Sequence, residues 1–201
     1  MIKRNLLVMG LAVLLSACGF QLRGTGTNEL SIKELDLSAR NAYGETVTQL
    51  RQVLESSGVK VFTGAPYKLY LADEQETQRI LSYAGAGRTG EYQVSTVLTY
   101  DIRGENGLLL KSDKLEVQKV FIHDGNNLVG SDQEANDARR QTRRELVQRV
   151  MLRLQQLTPA QLDALQQTAN ARAKAEADAL EAAQKAEAET PRQSPLELPQ
   201  Q

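Results

Sequence analysis

The stretch YQVSTVLTYDIR at residues 92–103 places Val94, Leu98, Tyr100 and Ile102 on one side of an extended chain, and Gln93, Ser95, Thr99 and Asp101 on the other. Successive side chains of a strand point to opposite faces. The stretch therefore reads as a strand with one face in a core and the other toward water. Asn106-Gly107 follows almost at once, and that pair is a strong hairpin signal because a type I′ turn needs positive φ at both central residues. The returning strand is expected from about Leu108 to His123, with Leu115, Val117 and Phe121 facing the core. Strands this long exceed the usual five or six residues and imply a long, twisted meander.

Working outward, Tyr67, Leu69 and Leu71 share one face of a preceding strand that is expected to run on through polar residues toward Tyr83. Val59 to Phe62 is a shorter extended piece, cut off by Gly64-Ala65-Pro66, and SIKELDLS at residues 31–38 is a first strand. Tyr43, Val47, Leu50 and Leu54 recur at spacings of four, three and four, which marks one face of a helix, and Gly58 is placed to end it. On the other side, Gly125-Asn126-Asn127 breaks the pattern. Ser131 and Glu134 match the S-x-x-E capping box, so a helix is predicted over about 132–156, with Leu146, Val150, Leu154 and Leu157 along its inner face.

The order is β-α-β-β-β-α. It predicts an α+β two-layer sandwich over residues 31–157, two helices packed on one face of a four-stranded, mostly antiparallel sheet. Thr158-Pro159 is expected to close that domain. Residues 158–201 form a tail rich in Ala, Glu and Gln, helical at first with almost nothing to bury. Around Pro191, Pro195 and Pro199 the tail reads as disordered.

Composition narrows the function classes. Aromatic residues make up 4% of the chain and Trp is absent, so the core must be built from Leu, Val and Ile. The formal charge of -1 gives no attraction to nucleic acid. One cysteine and one histidine exclude an internal disulfide and any Cys-based zinc ribbon. There is no H-E-x-x-H and no EF-hand loop, so no metal is expected, and no cofactor either.

The N-terminus points to a compartment. Lys3 and Arg4 precede the apolar run LLVMGLAVLL at residues 6–15, followed by Ser16 and Ala17. The run is too short for a spanning helix, which needs about 20 residues, and it reads as an export signal over residues 1–17. Leu15-Ser16-Ala17-Cys18 looks like a bacterial lipobox. In that class the chain is cut before the cysteine, whose sulfur carries diacylglycerol and whose new α-amine is palmitoylated. An ordinary signal peptide with an incidental cysteine is the plainer alternative. Removing residues 1–17 takes away Lys3 and Arg4 and no acid, so the mature chain is more acidic than the precursor. Gly19 stands where this class carries Asp for inner-membrane retention, which favours the outer membrane, on its periplasmic side.

Cys18 is followed by Gly19-Phe20-Gln21-Leu22-Arg23-Gly24. This start resembles that of the mature LptE family, lipopolysaccharide-assembly lipoproteins of Gram-negative outer membranes, as do the element order through about residue 157 and the Glu91-Tyr92-Gln93 opening of the central strand. The resemblance implies a non-enzymatic protein that pairs one-to-one with the LptD outer-membrane β-barrel and sits inside its lumen. It also implies a part in barrel assembly and lipopolysaccharide delivery, and binding of lipopolysaccharide itself. The rival reading is a periplasm-facing lipoprotein subunit of a different envelope machine, in barrel assembly or peptidoglycan binding.

Several residues carry two readings. Residues 18–30 are a lipidated tether, although Phe20 and Leu22 are larger than a solvated linker needs. Arg139, Arg140, Arg143, Arg144, Arg149 and Arg153 form either a basic surface for lipid A phosphates or a solvated helix face offset by Glu134, Asp137 and Glu145. The loop AGAGRTG at residues 84–90 carries Arg88; it lacks the Lys-Ser/Thr of a P-loop, but the resemblance implies lipopolysaccharide contact near this end of the sheet. Candidate lipopolysaccharide-binding residues are therefore Arg88, Lys119, Arg139 and Arg143, with Lys111 and Lys114 weaker. His123 beside Asp124 could serve a catalytic triad, but no nucleophile elbow accompanies it, and a structural role is expected.

Overall fold

The computed structural model describes residues 30–84 and 89–189. Expectations for Cys18, Phe20, Leu22, Arg88 and the proline-containing terminus lie outside those residues. The stretch YQVSTVLTYDIR forms the last twelve residues of strand β4 (Thr89–Arg103), and the expected faces hold. Val94, Leu98, Tyr100 and Ile102 are buried, and Thr96 joins them.

Asn106 and Gly107 adopt φ of 57° and 71°, and the Leu108 amide donates to the Glu105 carbonyl at 3.2 Å, closing the I′ turn. This turn delivers the chain into β5 (Leu109–Asp124), where Leu115, Val117 and Phe121 are buried as read. β3 (Tyr67–Ala84) lies on the other side of β4, also antiparallel. β1 (Glu34–Ala39) runs parallel to β3, and the two-residue β2 (Lys60–Val61) runs parallel to β1. The sheet order is β2-β1-β3-β4-β5, so the sheet has five strands where four were expected. β2 exists because its chain leaves a helix terminus directly beside β1.

That terminus belongs to α1 (Glu45–Ser56), which buries Val47, Leu50 and Leu54. It ends in a Schellman motif: Val59 N–H donates to Leu54 at 3.1 Å and Gly58 N–H to Glu55 at 3.0 Å, with Gly58 at φ 82°. A left-handed residue is what this motif requires, and glycine adopts it without a Cβ penalty. Tyr43, expected on the inner face of α1, precedes the helix and is 97% exposed.

α2 (Leu128–Gln155) starts one turn earlier than expected, and Ser131 is not its cap. The Asn127 side chain accepts from the Gly130 amide at 3.0 Å and caps the helix first, as Asn does at least as well as Ser. Ser131 is buried inside the helix and exchanges two hydrogen bonds with the backbone of Asp124, at 2.7 and 3.0 Å, tying α2 to the end of β5. Leu146, Val150 and Leu154 then meet the inward residues of β1, β3, β4 and β5 in one core.

Thr158-Pro159, read as a stop, opens a third helix, α3 (Pro159–Glu189). The Gln161 amide donates to Thr158 Oγ1 at 3.3 Å and the Gln161 side chain accepts from the Thr158 amide at 3.0 Å. This is a capping box with proline at the first helical position. Leu162 and Ala169 are buried in the main core, and Leu165 packs against it. Gln166 Oε1 accepts from the Glu105 amide at 3.0 Å, pinning the helix beneath the β4–β5 turn. The first three turns of the Ala-rich segment are thus packed, while Leu180 further along is 60% exposed. Leu30 and Ile32, ahead of β1, are also buried in the core. No helix among the described residues is long and apolar enough to cross a membrane.

Candidate interaction surface

The helices cover one face of the sheet. On the other face, the register aligns Arg79, Gln93 and Val120 in one row and Thr77, Ser95 and Gln118 in the next. Arg79 donates through Nε and a terminal nitrogen to Gln93 Oε1, at 3.0 and 2.8 Å. Gln93 in turn donates to Gln118. Gln118 and Ser95 both donate to Glu116 Oε1, at 2.6 and 2.8 Å. Those two bonds, Gln118 first, hold the Glu116 carboxyl below the usual carboxylate range. At the other end of this face Arg103 bonds Asp101 at 3.0 Å and lies 5.2 Å over the Tyr70 ring. The result is a mutually bonded polar surface of amide, hydroxyl and carboxylate side chains, with exposed Val120 beside it. Sequence reading found the outward positions of β4 but not this network. Its signal was the polar alternation itself, which register alone turns into rows.

The arginine row of α2 is mostly ion-paired, three members with acids on other elements and two with acids of α2 itself. Arg139 bonds Glu76 at 2.7 Å and Gln78 at 3.1 Å on β3. Arg143 pairs with Glu45 of α1, and Arg140 with Asp137. Arg149 bonds Glu145 at 2.7 Å and the Glu116 carbonyl at 2.8 Å, and Arg153 lies 3.8 Å from Asp113. Lys119 sits on the helix-covered side of β5, 3.7 Å from Glu145. Among the described residues, Arg144 is the exposed member of the row with no ion-pair partner. The candidates are therefore not brought to one site: Arg139 and Arg143 lean toward β3 and α1, and Lys119 lies on the β5 side.

The end of the sheet beside residues 85–88 is fringed with apolar side chains. Ile80, Leu81, Tyr83, Val120, Ile122, Leu128 and Val129 are all exposed there, an accumulation that marks interaction surfaces. His123 packs on Tyr92 with ring centres 4.9 Å apart. Asp124 bonds Asn126 and Thr89 rather than His123. The pair is part of the framework, and no group of three or more His, Cys, Asp or Glu among the described residues could hold a metal.

The LptE family model, described as lipopolysaccharide-assembly, matches residues 32–154, the span of the sheet and its two covering helices. The chain belongs to the LptE family. Among relatives, it is 30% identical over 155 residues to the LPS-assembly lipoprotein LptE of Pectobacterium atrosepticum, covering 74% of this chain and 83% of that one. It is 25% identical over 152 residues to the LPS-assembly lipoprotein LptE of Photorhabdus laumondii, with the same coverage. Its fold is similar to a minor lipoprotein from Acinetobacter baumannii, with a TM-score of 0.54 and 19% identity over 63% of this chain and 92% of that one. It is also similar to lipoprotein B from Nitrosomonas europaea, with a TM-score of 0.56 and 18% identity over 66% and 88%. Membership in the LptE family makes this an LPS-assembly lipoprotein rather than a member of a known enzyme family.

Proposed function

We propose that the folded domain is the plug of an LptD-type outer-membrane β-barrel, one copy per barrel, and that it assists barrel assembly and lipopolysaccharide delivery to the outer leaflet. The observation that carries this reading is that the family match and the two-layer domain coincide over residues 32–154. The physics suits it. A wide barrel encloses a polar interior, and a domain with a bonded polar sheet face and an outer helix whose arginines, Arg144 apart, are ion-paired can fill such a space with little unpaired charge.

Cys18 carries the lipid anchor in this reading. The twelve residues from there to Leu30 reach at most about 40 Å when extended, so the domain stays beside its membrane. Tethering of this kind raises the effective concentration of the partner without any new contact. Lipopolysaccharide contacts are assigned to Arg88, Lys119, Arg139 and Arg143. For the last three, a lipid phosphate must replace Glu145, Glu76 or Glu45 as partner. Bidentate charge-assisted bonds from Arg139 and Arg143, and point-charge pairing from Lys119, make that exchange feasible.

Depletion of this protein in cells tests the reading. The expected result is loss of correctly folded barrel, seen as heat-modifiable mobility on gels, together with less lipopolysaccharide at the surface. Unchanged barrel folding and unchanged surface lipopolysaccharide after depletion would refute it.

A further inference from the structure

β3 outlasts its parallel neighbour. β1 pairs with it only from Tyr67 to Leu71, and the last rung is the Arg40 amide donating to the Leu71 carbonyl at 2.9 Å. Beyond that, β3 continues to Ala84 with β4 on one side and no strand among the described residues on the other. Register shifts at Leu71/Asp73 and Ile80/Ser82 bracket a regular stretch from Asp73 to Ile80. Eight residues at roughly 3.4 Å each make an open edge about 27 Å long.

The direction of its backbone groups can be worked out. The Leu71 carbonyl faces β1, and the extra residue at position 72 puts Asp73 in the bonded position opposite Thr99. Alternation then turns the amides and carbonyls of Glu74, Glu76, Gln78 and Ile80 outward. The far edge of the sheet checks this phase. The same alternation carried through β4 aims the Glu116 carbonyl away from the sheet, where Arg149 bonds it.

At the β1 end of this edge lies a cleft of about 400 Å³ between the β1–α1 loop and α2. Its charged lining is Glu45, Asp73, Glu74 and Glu76 against Arg40 and Arg143; with Arg139 on Glu76 from α2, Glu74, which accepts from Thr46 Oγ1 at 2.7 Å, is the carboxylate left without a cation among the described residues. An unpaired edge is a ready template for another strand. A second copy of this chain, paired antiparallel on the same stretch, would bring Ile80 and Leu81 to the acidic cleft, which is a poor match. A basic segment matches it.

We propose that the open edge of β3 over Asp73–Ile80 accepts one extended segment of a partner protein as an added strand, with a Lys or Arg of that segment entering the acidic cleft. Main-chain hydrogen bonds supply the attachment in this mode and side-chain pockets the selectivity. The inference concerns how a partner docks and does not depend on that partner being the barrel.

The test places a photo-crosslinking benzoylphenylalanine at Gln75, Thr77 or Arg79 of the full lipidated chain in cells, with Glu55 on α1 as a control, and maps the captured residues by mass spectrometry. The expected result is one partner segment whose captured residues are spaced by two, with a Lys or Arg beyond the residue facing Asp73. Gln78→Pro removes an outward amide without touching a bond to β4, and should lower capture at Thr77 at least tenfold, whereas Gln78→Ala should retain it. Capture of another copy of this chain, captured residues without two-residue spacing, no capture at the three edge positions, or full capture in a folded Gln78→Pro variant would each overturn the inference. Capture of a strand from a protein other than an outer-membrane barrel would support it and count against the plug reading.

Discussion

Leu162 offers the sharpest test of how the C-terminal helix relates to the domain. It lies in an Ala-rich segment whose sequence shows little to bury, yet it is 2% exposed and part of the main core. Leu162→Ala removes buried methyl and methylene groups and leaves a cavity, which costs about 2–5 kcal/mol. A domain of this size loses roughly 4 °C in melting temperature per kcal/mol, so a fall of about 8–20 °C is expected. Leu180→Ala, on the same helix but largely exposed, should change stability by less than about 0.5 kcal/mol. The assay is thermal unfolding of the two variants followed by circular dichroism near 222 nm. Truncation after Leu157 should destabilise at least as much as Leu162→Ala, because it also removes the Gln166 bond to Glu105 and the Thr158–Gln161 capping box. Truncation after Ala173 should leave the transition nearly intact. Equal, small shifts for Leu162→Ala and Leu180→Ala would show that α3 does not belong to the core.

The remaining predictions concern a cap, a core hydroxyl and the anchor. Asn127→Ala should lower stability by about 1 kcal/mol, whereas Glu134→Ala should have almost no effect, since no capping box forms there; chemical denaturation of both variants decides it. Burial, and then the Asp113 carboxylate that accepts from the hydroxyl at 3.3 Å, pushes the Tyr100 pKa well above its usual 10. Because the folded value is the raised one, the stability linked to Tyr100 is intact below about pH 10 and is lost as pH rises above it. Tyr100→Phe should flatten that alkaline limb in a pH series of melting temperatures, at a cost near neutrality of about 1 kcal/mol for the lost bond. Cys18→Ala should leave an unprocessed precursor without lipid, and normal maturation of that variant would contradict the anchor assignment.

The β4–β5 hairpin was legible because its two faces differ at nearly every position and its turn demands a specific residue pair. α1 was legible for the same reason, with Val47, Leu50 and Leu54 on one stripe and Gly58 at its end. Ser131 misled because its hydroxyl has a stronger tertiary use, the backbone of Asp124, while Asn127 stood earlier in the chain with equal capping ability. Thr158-Pro159 was ambiguous by nature, since proline both follows helices and begins them; Gln161 three residues on was the overlooked signal. Part of the neutralisation of the α2 arginines was legible, Asp137 with Arg140 and Glu145 with Arg149 on the helix itself, but that of Arg139, Arg143 and Arg153 could not be read locally. Glu45, Glu76 and Asp113 lie on three other elements, and only the packing of helix on sheet brings them together.

The plug assignment is tested most directly by the mass of the intact assembly. The protein, tagged at its C-terminus and extracted from outer membranes in mild detergent, is measured by native mass spectrometry. One lipidated copy together with one large β-barrel is the expected particle. A lone lipoprotein, or an assembly containing no barrel, would contradict the account.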